Sequence, residues 1–234
     1  MKKGMIFRKL VPIYIFVLVG CLCTAYYGSR AVTTMVETSA VEGRRIIVVD
    51  AGHGGIDGGA TSCTGVLESE INLEIALRLN DLLRFMGYET RMVRTTDTSI
   101  YTQGNTIASQ KISDLKERVK LVNDLERALL VSIHQNTYPD GRYFGAQVFY
   151  ANDSVSEKLA DRLQTSFRDA LNPGSKRQSK PSTGVYLMQN IEQPGVLIEC
   201  GFISNEAEEA SLRQAVYQRN LCCVVASGIS LEFA

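Results

Sequence analysis

Three apolar runs each end on a residue able to bind a metal or move a proton. Ile46-Ile47-Val48-Val49 leads through Asp50-Ala51-Gly52 to His53, Leu129-Leu130-Val131-Ser132-Ile133 leads directly to His134, and Val196-Leu197-Ile198 leads to Glu199. Continuous rather than alternating apolar character fits strands buried on both faces of a parallel sheet. In an open α/β sheet, side chains just past the carboxyl ends of the strands line the ligand crevice. The three termini are therefore expected to converge at one edge. His53 and His134 are the only histidines in the chain.

Helical patterns separate these runs. Ile71, Ile75, Leu79, Leu82 and Leu83 recur at helical spacing after Glu68, and Gly87 is placed to stop that helix. Residues 88–93 then alternate as a second strand, closing a right-handed parallel βαβ unit. Residues 95–111, rich in Thr, Ser, Gln and Asn, read as a long surface loop. A helix is expected from Asp114, capped by Asp114 or Ser113, to about Arg127. Further on, the pattern predicts a strand over 145–150, an amphipathic helix over 154–171 stopped by Asn172-Pro173-Gly174, and a basic loop over 175–182. Short strands over 185–188 and 196–199 and a final helix over 217–231 complete it. Strands alternating with helices predict an α/β, three-layer domain with a mostly parallel twisted sheet flanked by helices.

The amino terminus has a different character. Lys2, Lys3, Arg8 and Lys9 precede an uncharged, mostly apolar stretch from Leu10 to Tyr27, the pattern of an export signal. At about 18 residues it is at the short limit for spanning a bilayer. The expected organisation is a signal peptide or membrane anchor over 1–30, a polar tether over 31–43 and a catalytic domain over 44–234, held outside the cytoplasm. Leu18-Val19-Gly20-Cys21 also fits a lipobox, with Cys21 as the acylated residue. Beyond that segment Cys63, Cys200, Cys222 and Cys223 allow three pairings, or none if they are buried thiols. Lys and Arg together number 25 and so do Asp and Glu, which gives no electrostatic case for nucleic acid.

A catalytic zinc takes three protein ligands and leaves one position open. His53, His134 and one carboxylate from Glu68 or Glu70, at the head of the first long helix, meet that count. Glu199 is then free as general base on water and as acid toward a leaving amine. Duller explanations exist for each piece. Asp57-Gly58-Gly59 fits a plain turn. The run 52–59 fits a phosphate cradle only loosely, because it is neither GxGxxG nor a P-loop. No HExxH occurs, so a zincin-type protease is excluded.

Val48-Val49-Asp50-Ala51-Gly52-His53-Gly54-Gly55, Glu68-Ser69-Glu70-Ile71-Asn72, Ser132-Ile133-His134-Gln135-Asn136 and Glu199-Cys200-Gly201-Phe202-Ile203-Ser204-Asn205 resemble, in order, the motifs of the zinc-dependent N-acetylmuramoyl-L-alanine amidases of the Amidase_3 family. Arg94 with Asp97 and Arg118 with Asn123 are smaller matches. The resemblance implies Zn2+ as cofactor, His53, Glu68 and His134 as its ligands, and Glu199 as the catalytic carboxylate. It prefers Glu68 over Glu70 because the ligand stands four residues before the helix Asn, here Asn72. Asn136 and Arg94 are carried over as substrate contacts.

The implied reaction is hydrolysis of the amide between the lactyl group of N-acetylmuramic acid and L-alanine, with peptidoglycan as the partner. Two positions depart from the common pattern: Gln135, where a small residue is usual, and Cys200, where an aliphatic one is frequent. Gln135 is expected to affect packing of the stem peptide, and the basic loop 176–180 reads first as a solvated surface loop, with contact to substrate carboxylates as the alternative. Within the family the chain is most similar to the germination-specific amidases of spore formers. That implies muramic-δ-lactam formation in the cortex and leaves open an accessory protein required for activity. A vegetative wall amidase, a peptidoglycan-binding pseudoenzyme and a stem-peptide zinc peptidase are the alternatives.

Overall fold

The computed structural model describes Cys23, Thr24, Tyr26 and residues 45–233. The expected signal or anchor, the tether and the lipidation site Cys21 lie outside the described residues, apart from Cys23, Thr24 and Tyr26, which are helical and exposed. Among the described residues no helix is long and apolar enough to cross a membrane. Residues 45–234 make one unit.

Its centre is a six-stranded sheet. The strands are β1 (Ile46–Ala51), β2 (Thr90–Met92), β3 (Ala128–Asn136), β4 (Gln147–Tyr150), β5 (Lys180–Pro181) and β6 (Gly195–Phe202), in the order β2-β1-β3-β6-β4-β5. All neighbours are parallel except β4 against β6. The three apolar runs form β1, β3 and β6, the middle of the sheet. Ile47, Val48, Leu129, Leu130, Val196 and Ile198 have no exposed surface, as central parallel strands require.

The helices are α1 (Glu68–Phe85), α2 (Ile107–Asn123), α3 (Ser154–Ala170), α4 (Tyr186–Asn190), α5 (Glu206–Leu212) and α6 (Ala215–Phe233). On one face of the sheet α1, α3 and α6 bury Ile75, Leu79, Leu163, Phe167, Val225 and Ile229 against Val49, Val131 and Ile198. On the other face α2 and α4 bury Val122, Leu187 and Met188 against Val48, Leu130 and Leu197.

Four elements differ from expectation, the first being β5, a two-residue strand inside the stretch 175–182 read as a basic loop. α2 starts at Ile107, inside the stretch read as loop, because Thr106 and Ser109 cap each other reciprocally. The expected caps sit within the helix and stitch the preceding loop to it. Asp114 accepts the Ile100 N–H at 2.6 Å, and Ser113 accepts those of Thr102 and Gln103 at 3.1 Å. The expected strand over 185–188 is instead the single turn α4, since a short apolar run does not by itself choose between strand and helix. α5 was not expected; the Asn205 side chain caps it by accepting from Ala207 and Glu208, with three glutamates in its first turn.

Candidate active site and metal centre

β1 ends in a turn that carries His53 at φ +61°, the left-handed region that a residue with a Cβ seldom occupies. Two buried arginines hold that turn by its carbonyls. Arg118 donates from Nη1 to Ala51 O at 3.1 Å and from Nη2 to His53 O at 2.8 Å, while its other contacts are the carboxylates of Asp50 and Asp114. Arg94 donates to Ala51 O at 2.9 Å, Gly52 O at 3.1 Å, Ser69 O at 2.8 Å and Thr96 O at 3.0 Å. Expected from the sequence to touch substrate, Arg94 is instead 3% exposed with its guanidinium committed to backbone. It positions the turn.

Glu68 opens α1, where the exposed N–H groups of the first turn favour a carboxylate. Its Oε2 accepts from Ala60 N at 3.0 Å and its Oε1 from Gln135 N at 3.1 Å. The same carboxylate lies 3.3 Å from His53 Nε2 and 3.0 Å from His134 Nδ1. His134 lies within β3, just before a register shift between residues 134 and 136. Its ring lies across Gly52, where any Cβ would occupy the space of the imidazole.

One ligand atom from each of His53, Glu68 and His134 lies within 4.8 Å of the others, so the three could hold a metal ion. Two imidazoles and one carboxylate are a donor set suited to zinc. His53 Nδ1 meets Asp57 Oδ2 at 2.9 Å, and Lys111 holds the other Asp57 oxygen at 2.6 Å. A carboxylate behind a metal-facing histidine fixes its ring orientation. Asp57 was legible only as a turn residue; its pairing with His53 depends on the left-handed backbone.

Charge in the cluster is strongly coupled. Burial alone would lower the His53 pKa, but Glu68 and then Asp57 outweigh it and raise it to about 9. Burial likewise opposes ionisation of Glu68, yet His134 and His53 hold its carboxyl well below the usual carboxylate range.

Glu199 pairs in register with His134 across β6 and β3, so the two side chains share a face of the sheet. Burial pushes its pKa up to about 7, with the charge of His134 opposing and that of Glu68 adding. Its Oε2 is buried with no hydrogen-bond partner. A cleft of about 310 Å³ opens beside the two histidines, lined among others by His53, His134, Arg118 and Tyr186.

Asn136 is half-buried at the end of β3, and its carbonyl accepts from Ile203 N at 2.9 Å. Gln135 points inward at 3% exposure and donates to Asn72 Oδ1 at 3.1 Å. Asn72 in turn donates to Glu68 at 3.3 Å, so Gln135 supports Glu68 from behind instead of facing the stem peptide.

Comparison with known proteins agrees with this geometry. Residues 47–230 match the Amidase_3 family, N-acetylmuramoyl-L-alanine amidase. The germination-specific N-acetylmuramoyl-L-alanine amidase of Bacillus subtilis (strain 168) is 40% identical over 191 residues, covering 81% of this chain and 80% of that protein. The N-acetylmuramoyl-L-alanine amidase LytC of the same organism is 31% identical over 175 residues, covering 74% of this chain but 32% of its own length. Among solved structures, the CwlD amidase from Clostridioides difficile, in complex with the GerS lipoprotein, superimposes with a TM-score of 0.77 at 34% identity, covering 81% of this chain and 98% of that one. By sequence, by fold and by the residues gathered at its sheet edge, the chain belongs to the Amidase_3 family of N-acetylmuramoyl-L-alanine amidases.

Proposed function

We propose that this amidase is zinc-dependent, with His53, Glu68 and His134 as the metal ligands and Glu199 as the catalytic acid and base. The observation that carries it is the buried, unpartnered Glu199 Oε2 one strand away from His134. Bound at the cluster, zinc supplies a Lewis acid that polarises a carbonyl and makes water nucleophilic near neutral pH.

Glu199 takes one proton from the water whose oxygen attacks the lactyl carbonyl. It then returns that proton to the nitrogen of L-alanine as the C–N bond breaks. The products are a lactyl carboxylate and a free amino terminus. Asp57 keeps His53 oriented, and Asn72 with Gln135 does the same for Glu68.

Likeness to the germination-specific amidase supports a role in spore germination, with cortex peptidoglycan as substrate. The CwlD amidase was solved with a lipoprotein, which supports an accessory protein for this chain as well. The basic and then apolar amino terminus supports export and membrane attachment; protease accessibility on intact cells checks that placement.

The test is mass spectrometry of purified peptidoglycan digested by the full chain, with zinc or with chelator. Zinc-dependent release of stems bearing free L-alanine amino termini is expected, and Glu199→Gln should bind zinc yet release none. Equal release by Glu199→Gln would sink the role given to Glu199. Cleavage within the stem would replace the amidase by a peptidase.

A further inference from the structure

A second groove, of about 550 Å³, opens where β4 begins and residues 174–180 pass over it. Tyr143, Phe144, Gln147, Lys176, Arg177 and Lys180 line it, and none of its lining residues is acidic. Lys176 and Lys180 are exposed and have no ion-pair partner among the described residues. Arg142, at the rim, is bound to Asp140 at 2.7 Å.

Arg177 is held differently. Its guanidinium lies over the Phe202 ring at 4.7 Å, donates from Nε to Phe144 O at 3.1 Å and reaches Gln147 Oε1 at 3.5 Å. Glu208 is the acid near enough to interact with its charge, and the Glu208 carboxylate is committed to the N–H groups of Gly145 and Phe202. An arginine fixed in one plane, with N–H groups left over, is prepared for a carboxylate at little further cost in entropy. The chain carries no net charge, so three cations without an ion-pair partner in one groove are a local concentration.

The register sets the place of this groove. Gln147 pairs directly with Glu199 across β4 and β6, so His134, Glu199 and Gln147 form a row on one face of the sheet. Neighbouring strands are about 4.8 Å apart. Each extended residue of a bound peptide advances about 3.4 Å. A stem whose first amide lies at Glu199, and which runs along this row toward β4, meets Arg177 and the two lysines beyond its L-alanine.

We propose that this groove is the stem-peptide subsite, with Arg177, Lys176 and Lys180 receiving side carboxylates of the second and third stem residues. The assignment rests on the amidase reading of Glu199.

Its test compares the full, zinc-loaded chain with the Lys176→Glu/Lys180→Glu variant on two muropeptides, one with free stem carboxylates and one with them amidated. Wild type should prefer the free form in kcat/KM by about fivefold, the scale of a pair of partly exposed charge contacts. In the variant that ratio should fall to one or below. A folding defect lowers both rates and leaves the ratio alone. An unchanged ratio overturns the proposal and assigns the groove to another anionic occupant. Calorimetric titration of the two free stem peptides reads the same preference without turnover. Inactivity of the chain alone would bear on Glu199 or on the accessory protein, and the subsite would still be decided by binding.

Discussion

Arg118 donates to the backbone carbonyl of His53 at 2.8 Å and, through the same guanidinium, neutralises the buried carboxylate of Asp50. One side chain thus joins the sheet interior to the left-handed turn that presents the His53 imidazole to Glu68 and His134. Its removal should be felt both in stability and in the site.

Arg118→Met leaves Asp50, 1% exposed, without its counter-charge, and a loss of about 3–5 kcal/mol is expected in denaturant unfolding. Zinc affinity should fall about tenfold or more, because the turn loses its donor to His53. Adding Asp50→Leu should recover much of the stability and none of the affinity. Recovery of both would mean that Arg118 serves only Asp50.

Acid should weaken this link in a defined window. Burial opposes ionisation of Asp50, but the charge of Arg118, the hydrogen bond from Ser132 and the charge of His134 together hold its carboxyl below the usual range. A depressed folded pKa contributes stability that is complete above the unfolded value of about 3.9 and is lost as pH falls through the folded value. The stability gap between wild type and Asp50→Asn should therefore be constant above about pH 5 and close below about pH 4. Urea midpoints across that range check it; a gap that widens in acid would reverse the assignment.

Gly52 is required for space. A Cβ at that position would enter the His134 ring, which must then move away from Glu68. Gly52→Ala is expected to reduce turnover about a hundredfold, the scale of a displacement of about 1 Å at a reacting centre. The helical signal in circular dichroism should be unchanged. Wild-type kinetics would show that the ring has room to shift.

The cysteines divide by depth. Burial pushes the Cys222 thiol up to about 12 and Cys200 above the ordinary thiol range. Cys63 and Cys223 are exposed, and all four are free thiols. Brief alkylation of the native chain should label Cys63 and Cys223, with Cys200 and Cys222 reacting only in denaturant. Peptide mapping by mass decides this; native labelling of Cys222 would expose a loose α6.

Much of this was legible because parallel strands make an unusually plain signal. β1, β3 and β6 are uninterrupted apolar runs, and the polar residues that end them fall at one edge by the geometry of a parallel sheet. His53, Glu68 and His134, far apart in sequence, come together for that reason. Direction is what sequence conceals. Arg94 and Gln135 are polar residues beside motif positions, and nothing in their spacing tells that both face inward. Asp57 becomes a partner of His53 only through the φ of His53, which no periodicity encodes. α4 and α5 are too short for a repeat to develop, and α2 begins in residues whose hydroxyls cap a helix as readily as they decorate a loop.

β4 runs against its neighbours, and that reversal matters beyond the sheet. β3 leaves, and β4 enters, at the same edge, so residues 137–146 join them without crossing the molecule. That connection carries exposed Tyr138, Tyr143 and Phe144 beside Phe202. Doubling the length of such a connection costs only about 0.6 kcal/mol in closure entropy. Added length at this return would therefore reshape the aromatic wall beside Phe202 at little entropic cost, with strand order and core left in place.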